Sequence, residues 1–277
     1  MIILNLKGGF GNHLFIYMLG VILADKNNMK IHIIGNNIAN DNLNQRDDTR
    51  TTIFKIINES YIDTLINSAN TFDIDTVEKY HTCVNTVLDK NTCYHINIIH
   101  INDIMWFDKH LDVISKYIIP LKVNCQSNCI MISLRLGMGE NELAQPSPFE
   151  SVLRLPFDYY RQSINYFINK NKEIDTLVIL SDNYTDPYLL NFQEFKDLNM
   201  VYMKDSNTLE QFKYIVSSQN FISSNSSFSL LGCLFNIDGI SIIPSFNDSN
   251  AVYPGITNVS YSKTLNIDRD NIIKIKI

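Results

Sequence analysis

Short apolar runs of strand length recur along the chain, each followed by a stretch with helical spacing. MIILNL at 1–6 reads as a strand, and NHLFIYMLGVILADK at 12–26 sets Leu14, Phe15, Met18, Leu19, Ile22 and Leu23 on one helical side. KIHIIG at 30–35 predicts a second strand, 53–68 a helix, and HINIIHI at 95–101 another strand. A helix over 108–118 stops near Pro120. The stretch 36–94 is otherwise polar and Asn-rich, with no clear period. Periodicity lapses again over PLKVNCQSN at 120–128, which marks a linker. A second alternation follows: strand 129–134, helix 157–169, strand 176–181, helix 186–196 and strand 199–203, then helix 207–217, strand 219–223, helix 226–235 and strand 240–244.

Strands and helices alternating in this way predict an α/β protein with mostly parallel, doubly wound sheets. Two such runs around a break predict two Rossmann-like domains facing a cleft, residues 1–125 and 126–277. A chain of 277 residues is long enough to bury both cores.

Composition narrows the function. Hydrophobic residues make up 45% and charged residues 19%, an ordinary globular balance. The net charge of −6, without a basic block, argues against a nucleic-acid partner. No run approaches the roughly 18–20 consecutive apolar residues that span a membrane. The opening residues read as a strand rather than a signal peptide, so the expected location is cytoplasmic, in a bacterial cytosol or virally encoded in a host cytosol. Five cysteines lack a framework spacing and read as reduced structural thiols. Cys125 and Cys129 have no second ligand pair. Asp73-Ile74-Asp75 has the letters of a metal-binding D-x-D but sits in the irregular middle stretch.

Four polar stretches fall where strands end. The first is Gly8-Gly9-Phe10-Gly11-Asn12-His13 after the opening strand. An NAD fingerprint would need a third glycine where Leu14 stands, and an acid about 20 residues on, where the chain has Gly35-Asn36. A P-loop would need Gly-Lys-Ser/Thr. What remains is a plain tight turn, or a turn whose amides and helix N-terminus accept an anion. The second is MISLRLGMGENE at 131–142, with Arg135 at a strand's C-terminal end, where a guanidinium can clamp a phosphate or simply pair with a nearby carboxylate. The third is LSDN at 180–183, and the fourth FISSNSSFSLLGCLF at 221–235, where a run of hydroxyls enters an apolar helix.

In order and spacing these stretches resemble the alpha-1,2-fucosyltransferases of glycosyltransferase family 11 and, more distantly, the alpha-1,6- and protein O-fucosyltransferases. GGFGNHLFIYML matches the family's G-G-L-G-N-Q opening, SLRLGM at 133–138 its H-x-R-R-G-D, and Asp158-Tyr159-Tyr160 its D-Y-Y. LSDN matches F-S-D-D, and NSSFSLLGCLF at 225–235 matches N-S-S/T-F-S-W-W-G-A-W-L. The resemblance covers nearly the whole chain. It implies a GT-B type fold and a metal-independent, inverting transfer of a deoxysugar, fucose from GDP-fucose, to a glycan or oligosaccharide acceptor, with no cofactor beyond the nucleotide-sugar donor. It places Gly9, Gly11, Asn12 and His13 near the diphosphate, with Ser226 and Ser227 meeting it beside Asn225. Arg135 would neutralise the leaving β-phosphate, an effect often worth roughly 3–4 kcal/mol per donor.

The departures matter as much. Ser133 replaces the family histidine, Leu136 the second arginine, Met138 the aspartate and Asn183 the second acid of F-S-D-D, leaving Asp182 as the only acid there. The histidine and that second acid read guanine in the related enzymes. A carboxylate can accept from both N1–H and N2–H₂ of guanine, whereas an amide has one acceptor oxygen. The donor base is therefore open to a UDP- or dTDP-deoxysugar, and a non-catalytic nucleotide-sugar or glycan-binding relative stays as an alternative. Glu140 and Glu142, just past Arg135, are the candidate general bases for the acceptor hydroxyl, or else solvated loop charges.

Overall fold

The computed structural model describes residues 1–6, 10–34, 61–62, 70–97, 107, 109–117, 122–136, 154–245 and 269–277. The chain divides into two compact units, Met1–Ile101 with Trp106–Pro120, and Asn102–Met105 with Leu121–Ile277.

In the first unit β1 (Ile2–Asn5) leads into α1 (Phe10–Asn27) and β2 (Ile31–Ile34), then β3 (Tyr61–Ile62), β4 (Thr71–Ile74), α2 (Val77–Asn85), β5 (Cys93–Ile96) and α3 (Leu111–Ile114). The strands lie in the order β3-β2-β1-β5-β4, every pair parallel. The expected one-sided α1 is buried on nearly every side, with Ile16, Tyr17 and Val21 covered as fully as Leu14 and Leu19. Gly20 lets it approach β1, since a Cβ there would lie 2.6 Å from Leu4 Cδ2. Tyr80 of α2 donates its hydroxyl to Leu19 O at 2.9 Å.

The second unit runs β6 (Cys129–Leu134), α4 (Phe157–Lys170), β7 (Thr176–Ser181), a 3₁₀ helix (Pro187–Phe195) and β8 (Asn199–Tyr202). It continues with α5 (Thr208–Ser217), β9 (Asn220–Ile222), α6 (Ser227–Phe235), β10 (Ile240–Ser245) and β11 (Ile272–Lys276). The sheet order is β11-β10-β9-β6-β7-β8, again parallel throughout. Ile130, Ile132 and Leu134 of β6 pack with Tyr159, Tyr160, Ile164 and Phe167 of α4 in its core. From β6 the chain steps outward to β7 and β8, then returns to β9 on the other side and steps outward again. The order reverses between β6 and β9.

Two parallel-sheet α/β units are what the alternation predicts. Several elements differ. Residues 61–62, expected within a helix over 53–68, form a strand that pairs with Ile33–Ile34 of β2; the rest of that helix lies outside the described residues. The stretch without a period supplies β4 and a Thr76-capped α2. The helix expected over 186–196 is a 3₁₀ helix capped by Asp186. Its buried Phe192 and Phe195, three apart, share one face of that tighter coil. β11 is an additional strand.

Candidate functional site

Open α/β sheets bind ligands beyond the carboxyl ends of the strands where strand order reverses. In the second unit that point lies past β6 and β9, and it is built from Ser133, Arg135 and the segment Ser223–Ser227.

The serines form a linked set. Ser133 Oγ lies 3.4 Å from Ser224 Oγ, and Ser224 Oγ lies 3.1 Å from Ser226 Oγ. Ser226 caps α6 by accepting from the Ser229 amide at 3.2 Å. Ser229 Oγ sits 2.9 Å from Ser223 Oγ and accepts from the Ser224 amide at 2.9 Å. These hydroxyls thus hold the β9–α6 turn in shape. Ser226 and Ser227 at its rim stay half-buried, at the positive end of the α6 dipole. Asn225, just before them, is 2% exposed, and among the described residues its Nδ2 has no hydrogen-bond partner. A buried donor without an acceptor is costly, and a ligand oxygen would relieve it.

The turn is braced from below. Tyr159 of α4 shares its hydroxyl proton between Ser223 O at 2.9 Å and Ile242 O at 3.1 Å, and Tyr160 donates to Ser133 O at 3.4 Å. Burial pushes both phenols well above their ordinary pKa, so they remain donors.

Arg135 extends past the end of β6 with its side chain 31% exposed. Its Nη1 donates to Asp182 Oδ2 at 2.5 Å, while Asp182 Oδ1 accepts the Leu136 amide at 2.8 Å. Asp182, 6% exposed, therefore ties the end of β7 to the guanidinium beside it. Asn183 turns its side-chain oxygen into its own loop, accepting from Thr185 N at 3.0 Å and Thr185 Oγ1 at 2.8 Å.

The structure thus brings Ser133, Arg135, Asp182, Asn183, Asn225, Ser226 and Ser227 to one edge of one sheet. Gly11, Asn12 and His13 belong to the first unit, in the opening turn of α1, which starts two residues earlier than expected; His13 is 2% exposed there. Gly9, Glu140 and Glu142 lie outside the described residues. Asp73-Ile74-Asp75, read in irregular sequence, instead ends strand β4, where Asp73 accepts from Asn97 and Asp75 pairs with Lys79 at 2.6 Å.

No protein-family model matches the sequence. No curated protein matches it either. Among solved structures the chain is similar to E. coli heptosyltransferase WaaC with ADP, at TM-score 0.45 and 9% identity over 99% of this chain and 92% of that one. It is also similar to a mutant of Arabidopsis thaliana FUT1 in complex with GDP, at 0.44 and 9% over 85% and 68%. A third is E. coli ADP-heptose lps heptosyltransferase II, at 0.41 and 9% over 99% and 89%. Likenesses this distant carry nothing about donor, acceptor or chemistry. Among the described residues no helix is long and apolar enough to cross a membrane.

Two contributors escape the motifs. Arg154 donates to Leu136 O and to Asp186 Oδ2, both at 2.5 Å, and Asp186 Oδ1 caps the 3₁₀ helix through Tyr188 N at 2.8 Å. The Asp186-Pro187 step is a readable helix start, with an acid at the cap and proline in the first turn. Nothing local marks Arg154.

Proposed function

We propose that the chain is an inverting glycosyltransferase of fucosyltransferase type that moves a deoxysugar from a nucleoside diphosphate to a glycan hydroxyl. The observation that carries this reading is the partly exposed Arg135 guanidinium, held on a largely buried carboxylate beside the serine-lined start of α6. In such a transfer the acceptor oxygen bonds to the anomeric carbon as the bond from that carbon to the β-phosphate oxygen breaks. The electron pair leaves with the diphosphate, and the hydroxyl proton passes to a base, for which Glu140 and Glu142 are the candidates. Charge grows on the diphosphate at that moment, and a pre-placed guanidinium, fixed hydroxyls and a helix N-terminus stabilise it without a metal. The resemblance adds Gly9, Gly11, Asn12 and His13 to the proposed diphosphate contacts.

The resemblance names GDP-fucose as the donor. A second reading, a UDP- or dTDP-linked deoxysugar, is favoured by Asn183. Its one acceptor oxygen is engaged by Thr185, which leaves its side chain only N–H donors to offer a base. Uracil and thymine present two carbonyl acceptors to such donors, whereas guanine presents only O6 on that edge and its N1–H and N2–H₂ find no acceptor in Asn183.

A thermal-shift panel of GDP, UDP, dTDP, CDP and ADP separates the two readings; tight GDP binding with none for UDP or dTDP rejects the second. Slow hydrolysis of the matching nucleotide-sugar is expected, and R135A should lower it roughly 100-fold or more. Binding without turnover across a broad acceptor set would make the chain a nucleotide-sugar-binding relative instead.

A further inference from the structure

Arg135 and Arg154 are both tied to Leu136, the first through Asp182 and the second directly. Asp182 joins Arg135 to the Leu136 amide, and Arg154 donates to the Leu136 carbonyl, so the two guanidinium groups flank one backbone unit just past β6. Each pair is also arranged the same way. The carboxylates are largely covered, at 6% for Asp182 and 10% for Asp186, while the arginines are 31% and 39% exposed. The anion lies beneath and the cation faces outward, unlike a surface pair in which both charges are solvated. Arg154 also lies over the Tyr188 ring at 5.8 Å, which helps to fix its plane.

A guanidinium has five N–H donors in a planar fork. Arg135 uses only Nη1, and Arg154 only Nη2, among the described residues. The Nε edge and one further nitrogen of each are available for oxygen acceptors. Both bound nitrogens serve to orient, and the remaining edges are what the arrangement presents.

We propose that Arg154 is the second cation of the donor site and that Arg135 and Arg154 together grip a diphosphate, one phosphoryl group to each fork. This rests on the nucleoside-diphosphate reading above and deepens it, because two separated forks select a diphosphate over a monophosphate. Leu136, which carries no charge, serves as the common anchor, and the second positive charge comes from a residue 18 positions further along the chain.

Calorimetric titration of GDP, UDP and dTDP, each beside its monophosphate, tests this on wild type, R135A, R154A and R154Q. The glutamine keeps a donor for Leu136 O if the alanine variant does not fold. The wild type should prefer the diphosphate. R154A or R154Q should weaken diphosphate binding roughly 10- to 100-fold, the range for losing hydrogen bonds to a charged group. Monophosphate affinity should fall much less, so that the preference itself shrinks. If R135A weakens diphosphate binding while a folded Arg154 variant keeps wild-type affinity and preference, Arg154 is an anchor only and the inference is overturned. If the wild type binds none of the diphosphates, or R135A leaves their binding unchanged, the donor reading falls, and this inference with it.

Discussion

Asp182 spends both oxygens on the chain itself, Oδ2 on Arg135 and Oδ1 on the Leu136 amide. Through Oδ2 it bears on where the Arg135 guanidinium points. In D182N the amide oxygen can still accept from Leu136, but the charge that holds Arg135 is gone. The expected result is a drop in kcat of about tenfold or more with a smaller change in KM, because leaving-group stabilisation depends on placement. Steady-state kinetics on the hydrolysed nucleotide-sugar checks this, and a rise in KM alone would make Asp182 a binding residue. Arg135, Ser226 and Ser227 are legible in the sequence because each stands at a strand end or helix start. Arg154 is not, because its importance comes from meeting Leu136 O and Asp186 across 18 and 32 positions of chain.

The turn that carries the serines keeps its shape only if α6 seats correctly against α5. Gly232 permits this: a Cβ there would fall 2.2 Å from Ile215 Cγ2 and 3.2 Å from Ile215 Cβ, a branch point that cannot swing aside. G232A should therefore cost about 1–3 kcal/mol by overpacking despite the better helix propensity of alanine. S229A should cost a similar amount, about 1–3 kcal/mol, by leaving the fully buried Ser224 amide without its acceptor. Denaturant melts measure both, and a stabilised G232A would contradict the packing described. Elements with a full apolar face or a capping pair are readable directly, as in β6, whose six residues are all buried, and α5, where Asn207 and Glu210 form a capping box. β3 has two residues and β4 exposes three of its four, so their conformation comes from the neighbouring strand rather than from local pattern. β11 alternates apolar and basic residues and carries the signal; what it lacks is a readable helix before it.

Both units bury tyrosines whose phenols must stay neutral, Tyr80 in the first and Tyr159 and Tyr160 in the second. Burial is the main cause that raises each well above the ordinary value of 10.0. Burial likewise pushes the Cys233 thiol up to about 12 from 9.0 and the Cys125 thiol up to about 11. The sign follows from proton binding. Above pH 9 the unfolded chain releases thiol protons, and above pH 10 phenol protons, which the folded chain retains. The folded state then binds more protons, so stability falls as pH rises. Their contribution is complete below the unfolded values and is lost as pH climbs toward the folded ones. The melting temperature should decline from about pH 9 and more steeply from about pH 10, each retained proton costing about 1.4 kcal/mol per pH unit. Y159F removes one such proton and should flatten the alkaline slope by that amount, although it starts less stable for want of the bonds to Ser223 O and Ile242 O. Tyrosinate absorbance followed through the same melts should rise together with unfolding. Titration of all the tyrosines in the folded protein near pH 10 would mean that these phenols are not sealed in their cores.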